Sequence, residues 1–322
     1  MENKKVNLKI LKIKNCTYKY FKNCLFFNTQ LYDKMQLYLK KGLIFLKRIV
    51  TIQDISCVGK CSLTVALPII SSMGVEAAIV PTAVLSTHTM FKNFTCKDLT
   101  DQIQPIADHW KSENFKFDAI YTGYLGSAEQ IDLVTNFFDT FKTDDNFIFV
   151  DPAMADNGKL YPAFDEKFPK LMAKVCAKAD IIVPNLTEAC LMTDTVYKTE
   201  YDIDYVKSVL KKLTALGAKK AVLTGVCFDN KYGVMGYDSA TDSYFSYYHT
   251  KLEKSYHGTG DVFSSTCVGA LSNGKSLEEA IKIAADYTVE CIRITSADPT
   301  SNDYGVNFEL AIPYLLSSLN KD

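Results

Sequence analysis

From Lys47 onward, short runs of β-branched and aromatic residues alternate with longer stretches whose apolar positions recur at helical spacing. The first run, 48–52, predicts a strand, and 62–73 predicts a helix stopped by Gly74. Residues 75–80 read as a second strand, 99–113 as a helix and 118–121 as a short strand. Ser127 with Gln130 three positions on forms a capping box that opens a helix to about residue 141. Residues 147–150 read as a strand ending at Asp151. Beyond it, 168–178 predicts a helix, 181–183 a strand, 201–216 a helix ended by Gly217, and 221–223 a strand. Residues 232–237 and 244–248, split by the polar segment 238–242, pattern as an antiparallel hairpin. Two helices close the sequence pattern, one over 261–271 and one capped by Ser276 and Glu279.

Strands alternating with helices of this length predict an α/β fold: a doubly wound, mostly parallel sheet with helices on both faces. No internal repeat or low-complexity linker interrupts the rhythm, so a single domain is expected over 47–322. Residues 1–46 lack clean periodicity and read as a basic extension outside the core fold. Met35, a short way before the first strand, offers an alternative start.

Composition sharpens this division. Residues 1–48 hold 12 basic against 2 acidic residues, while the rest holds 24 against 35. An acidic body argues against nucleic acid as the main partner, because phosphate neutralisation needs clustered Lys and Arg. No stretch approaches the ~20 apolar residues of a membrane helix. The ten cysteines are scattered, without a CxxC pair or zinc spacing, which points to a reducing, cytoplasmic compartment.

In a doubly wound sheet, ligands bind beyond the carboxyl ends of the strands. The polar residues expected there are Gln53-Asp54, the segment from Pro81-Thr82 to His88-Thr89, Thr122-Gly123-Tyr124, Asp151, Pro184-Asn185 and Thr224-Gly225. The most informative segment is His257-Gly258-Thr259-Gly260-Asp261, which opens a helix. Two glycines let the backbone turn tightly so that successive N–H groups face an anion at a helix N-terminus. Asp261 in the first turn is placed to take a proton from an attacking hydroxyl. An ordinary glycine loop with an acidic helix start gives the same four letters.

Other nucleotide signatures fail. Gly59-Lys60 is followed by Cys61 rather than Ser or Thr, Phe263 stands at the last Gly position of GxGxxG, and GxSxG is absent. Asn185 and Glu188 are three apart, so one helical turn puts both on one face, suited to a hydrated Mg²⁺ or to a plain helix cap. Asp151 opens a turn, Asp151 to Gly158, that carries two further acceptors, Asp156 and Asn157.

Together, the GTGD loop, the NxxE motif and the DPxMxDNG turn resemble the ribokinase-like superfamily over about 48–295. Within it, Ile52-Gln53-Asp54-Ile55-Ser56, Leu85-Ser86-Thr87-His88-Thr89 and Tyr121-Thr122-Gly123-Tyr124-Leu125-Gly126 are similar to the pyridoxal/pyridoxamine kinases. Two departures stand out: Met90-Phe91 follow Thr89, where a Gly-containing segment is usual, and Val183 replaces the Thr of some relatives.

The resemblance implies ATP- and Mg²⁺-dependent phosphorylation of the 5′-hydroxymethyl group of a B6 vitamer by a homodimer. Its nearest alternative is a hydroxymethylpyrimidine kinase. It further implies Asp261 as base, with Gly258, Thr259 and Gly260 around the transferred phosphoryl. Asp151, Asn185, Glu188 and Thr224 would face ATP, with Glu188 and Asp151 also towards Mg²⁺. Asp54, His88, Thr89 and Tyr124 would face the pyridine ring. The remaining histidines and Trp110 receive no role.

Overall fold

Strand β1 (Arg48–Ser56) sends Val50 and Ile52 to one side and Ile49 to the other, and all three are fully buried. A strand apolar on both faces must be covered on both, which a parallel sheet between two helical layers achieves. The computed structural model describes residues 46–320 except 253 and 255. The extension expected over 1–46 lies, up to residue 45, outside the described residues.

After β1 the chain runs α1 (Leu63–Ser72), β2 (Glu76–Leu85), β3 (Cys96–Asp98), α2 (Thr100–Ser112), β4 (Ala119–Thr122), α3 (Ala128–Phe141) and β5 (Phe147–Val150). Two short strands, β6 (Ala155–Asp156) and β7 (Lys159–Leu160), form a separate hairpin. Then come α4 (Phe168–Ala177), β8 (Ile181–Ile182), α5 (Leu186–Met192), α6 (Ile203–Ala215) and β9 (Lys220–Phe228). The chain closes with β10 (Lys231–Asp238), β11 (Ser243–Thr250), α7 (Thr259–Ser272), α8 (Leu277–Ala297) and α9 (Phe308–Leu319).

The main sheet has the order β11-β10-β9-β8-β5-β4-β1-β2-β3. Its six central strands are parallel, and β3 at one edge and the β10–β11 hairpin at the other are antiparallel. The expected doubly wound α/β architecture is therefore present. Side chains from α2 to α6 build one core against the sheet, and those from α1, α7, α8 and α9 build the other. The chain leaves β1 for β2 on one side and returns to β4 on the other. This reversal opens a crevice at the carboxyl ends of β1 and β4, where a ligand has room.

Several local expectations are corrected. β1 and β2 continue past their apolar runs, because Ile55 pairs with Val84 and Ser56 with Leu85 beyond an irregularity at Asp54. β9 does not end before Thr224-Gly225. Gly233 faces Val226 and Val234 faces Thr224, so Gly225, at φ 72°, is a bulge that lets the strand run on into the hairpin. Only half of the expected box at α3 forms. Ser127 accepts from the Gln130 N–H, but the Gln130 amide bonds Gly126, Thr82 and Thr100 instead of returning to Ser127. The helix α9 was not expected, and it buries Phe308, Ala311 and Leu315 in the second core.

Candidate active site

The GTGD segment forms as its residues demand. Gly258 caps α7 at φ 75°, and a Cβ there would lie 1.8 Å from the Lys60 carbonyl oxygen, so only glycine fits. Thr259, Gly260 and Asp261 follow as the first helical residues, whose N–H groups have no partner within the helix. A Cβ on Gly260 would meet nothing within 4 Å, so the approach to these amides is open. Aligned peptide dipoles add a partial positive charge at this end.

Asp261 is half-buried, and the backbone N–H of Ser62 lies close to its carboxylate. Burial, then the charge of Asp151, pushes its pKa up to about 8. Ser62 stands between two acids: its N–H is near Asp261, and its Oγ donates to Asp54 Oδ1 at 2.6 Å. Ser62 holds φ 50° to do so, a strained conformation for a non-glycine residue and one that concentrates at functional sites. Asp54 also accepts from Ser56 at 3.2 Å and is 5% exposed; burial raises its pKa.

At the end of β5, Asp151 accepts from Ser264 of α7 at 2.7 Å, and burial raises its pKa to about 6. Glu188 belongs to a capping box in which Asn185 Oδ1 accepts the Glu188 N–H and the Glu188 carboxylate accepts the Asn185 N–H at 2.8 Å. Its other oxygen accepts the Met154 N–H at 3.1 Å, and Asn185 Nδ2 donates to the Ala155 carbonyl at 2.8 Å. The NxxE motif is thus both a helix cap and a clamp on the segment after Asp151. Burial, then Asp151, pushes the Glu188 pKa well up. Thr224 lies within β9, where its N–H donates to the Pro184 carbonyl at 3.0 Å, beside Asn185.

On the ring side, Tyr124 is half-buried against Phe164 at a centroid distance of 5.4 Å, and burial and Asp54 push its hydroxyl up to about 12. His88 Nδ1 accepts the Met90 N–H at 3.1 Å, which fixes its ring 5.2 Å from that of His257. Burial, then His257, lowers the His88 pKa and favours the neutral ring. Thr89 is exposed and makes no side-chain hydrogen bond within the described residues. The structure therefore brings together Asp54, Tyr124, Asp151, Asn185, Glu188, Thr224 and the GTGD turn, with His88 at the rim.

Two residues were missed. The Tyr161 hydroxyl lies in the field of Glu188, Asp156, Asp151 and Asp261, and burial pushes its pKa up. Its only sequence signal was its place three residues after the Asp151–Gly158 turn. His257 was legible only as a neighbour of the glycines. Among the described residues, no Lys or Arg forms an ion pair with Asp54, Asp151, Glu188 or Asp261. Acids without cationic partners, beside the N–H groups that open α7, are suited to holding a cation and taking a proton while the amides meet an anionic group.

This fold and site define a ribokinase-like small-molecule kinase. The phosphomethylpyrimidine kinase family matches residues 66–307, and the chain belongs to it. A crystal structure of a candidate phosphomethylpyrimidine kinase from Bacteroides thetaiotaomicron is 38% identical, with a TM-score of 0.82 over 85% of this chain and 95% of its own. A second crystal form of that protein contains pyridoxal. Pyridoxal kinase from Lactobacillus plantarum is 29% identical, with a TM-score of 0.78 over 85% of this chain and 98% of its own. Hydroxymethylpyrimidine/phosphomethylpyrimidine kinase from Bacillus subtilis is 26% identical over 62% of this chain and 71% of its own. Relatives thus divide between the two vitamin precursors.

Proposed function

We propose that this kinase transfers the γ-phosphoryl group of ATP to the 5′-hydroxymethyl group of pyridoxal, pyridoxine or pyridoxamine. The observation that carries the phosphoryl-transfer chemistry is Asp261 in the first turn of α7, beside three N–H groups without helical partners. The carboxylate accepts the hydroxyl proton as the oxygen attacks, and the amides of Thr259, Gly260 and Asp261 take up charge on the phosphoryl oxygens. Gly258, by allowing the tight turn, positions those amides. Asp54, Tyr124, His88 and Thr89 would line the vitamin ring, with Tyr124 covering its face.

Both Glu188 oxygens accept backbone N–H groups and Asp151 holds Ser264, so the pair fits a hydrated Mg²⁺ met through its waters, an ion that takes few carboxylates and several waters. Bound there, Mg²⁺ would offset the charge of the ATP phosphates. Asn185 and Thr224 would face the nucleotide. The choice of a B6 vitamer is supported by the pyridoxal-containing crystal form of the 38% identical relative. We also propose a homodimer, which the family resemblance supports. A cytoplasmic setting is supported by eight free cysteines among the described residues, none of whose helices is long and apolar enough to cross a membrane.

The family match favours a second reading, phosphorylation of hydroxymethylpyrimidine. A coupled ADP-release assay across pyridoxal, pyridoxine, pyridoxamine and hydroxymethylpyrimidine separates the two. Turnover of the pyridine substrates is expected; turnover of the pyrimidine alone replaces the first reading with the second.

A further inference from the structure

Beneath the carboxylates, three polar side chains meet between the sheet and α7. Thr51 of β1 stands opposite Tyr121 of β4, and Gln53 follows two residues after Thr51, so all three share a sheet face. That face is the one α7 covers, since Tyr121 packs in the same core as Val262 and Val268. Ser265 comes four residues after Asp261, one helical turn along the same side of α7. Gln53, Tyr121 and Ser265 are all fully buried.

Ser265 and Gln53 lie close enough to polarise the Tyr121 hydroxyl. Yet Tyr121 Oη, Gln53 Oε1 and Ser265 Oγ each lack a partner in hydrogen-bond geometry. Their neighbours are satisfied: Gln53 Nε2 donates to Thr51 Oγ1 at 2.7 Å, and Ser264 donates to Asp151 at 2.7 Å. Adjacent buried polar atoms without bonds are destabilising unless something bridges them. Internal waters occupy such places, typically making about three hydrogen bonds to otherwise unpaired buried groups. Two hydroxyls that donate and accept, with an amide oxygen that accepts, offer a water that full set.

We infer that Gln53, Tyr121 and Ser265 form the seat of one ordered internal water, which ties β1 and β4 to α7 and positions Asp261. Ser265 and Asp261 share one side of the helix, so anchoring one fixes the other against the strand ends that border the crevice. The positioning role rests on the proposed kinase reading; the water site does not.

Crystals of the full chain at a resolution that shows waters should contain a peak about 3 Å from all three atoms. A direct Tyr121–Ser265 hydrogen bond without that peak overturns the inference. Tyr121→Phe and Ser265→Ala each remove one bond to the water. Each is expected to lower kcat about tenfold while moving KM for ATP and acceptor by less than about twofold. The double variant should lose no more than either single change, because both act through one water. Unchanged kcat, or losses that multiply, overturns the positioning role. Should Tyr121→Phe fail to fold, Ser265→Ala, which removes only a hydroxyl, carries the kinetic test. If the wild type phosphorylates none of the four acceptors, the kinase reading fails, while the crystallographic peak still decides the water.

Discussion

The carboxylates at the two ends of the sheet have opposite surroundings. Where the parallel strands begin, Asp118 meets Lys47 at 2.8 Å, Asp180 meets Lys219 at 2.6 Å, and Asp238 of β10 meets Lys220 at 2.7 Å. Burial alone would raise Asp180, but the hydrogen bonds from Lys219 and the Ile148 N–H, with the charge of Lys142, outweigh it and hold its pKa down. Where the strands finish, Asp54, Asp151, Glu188 and Asp261 are all pushed up, by burial first, and none has a cationic side-chain partner within the described residues. One end neutralises its charges internally and fastens the strands. The other keeps a strained set of acids whose relief must come from outside the chain, the arrangement expected of a site that binds a cation and moves a proton.

Exchanging an acid at each end separates the two roles. Asp261→Asn keeps shape but cannot accept a proton, and loss of a positioned base lowers turnover by ~10²–10⁴-fold. Circular dichroism must show that the variant is folded, and near-normal turnover in a folded protein would leave the GTGD turn as a phosphate cradle only. The same change should stabilise the protein at high pH. A carboxyl whose native pKa lies above its unfolded value adds most stability below about pH 4 and loses it as pH rises toward 8. Asp261→Asn should therefore show the higher thermal midpoint above pH 8.

Asp180→Asn should do the reverse. Turnover is unchanged, and stability at neutral pH falls by about 1–2 kcal/mol in urea unfolding, because a largely buried paired carboxylate is lost. Since the Asp180 pKa is depressed, that deficit is present at neutral pH and disappears as pH falls below about 4. A turnover loss in this variant would join the two ends functionally and dissolve the contrast. The smallest effect is expected from the N-terminal segment. Every motif and periodic element starts at or after Lys47, so a chain beginning near Met35 should keep both turnover and thermal midpoint. Loss of both would make that segment a packed part of the domain.

Much of this division was legible in the sequence, and the gaps have physical causes. The strand at 147–150 and the GTGD turn were readable because apolar periodicity and glycine act locally. The continuation of β9 through Thr224-Gly225 was not, because a glycine at a bulge and a glycine at a turn look alike until the partner strand is known. Gln130 has the letters of a capping box, but its amide is claimed by Thr82 and Thr100, which lie far away in the chain. α9 was hidden by Pro313 and by the lack of a predicted surface to cover. Asp54 and Glu188 were found by motif, but the Ser62 bridge and the Met154 clamp that orient them are tertiary. Tyr121 reads as the strand end of a motif and Ser265 as a position within a helix until the two faces meet.

If the unpaired acidic end works through Asp261, the pH dependence of kcat/KM will show it. Wild type and Asp261→Asn should be measured in parallel with the same acceptor, so that ionisations of the substrates cancel in their ratio. The base must be ionised to act, and in the free enzyme its pKa is raised to about 8. The wild-type to variant ratio is expected to climb about tenfold per pH unit below that point and to level off above it. A ratio that stays constant from pH 5 to about 9 removes Asp261 as the base.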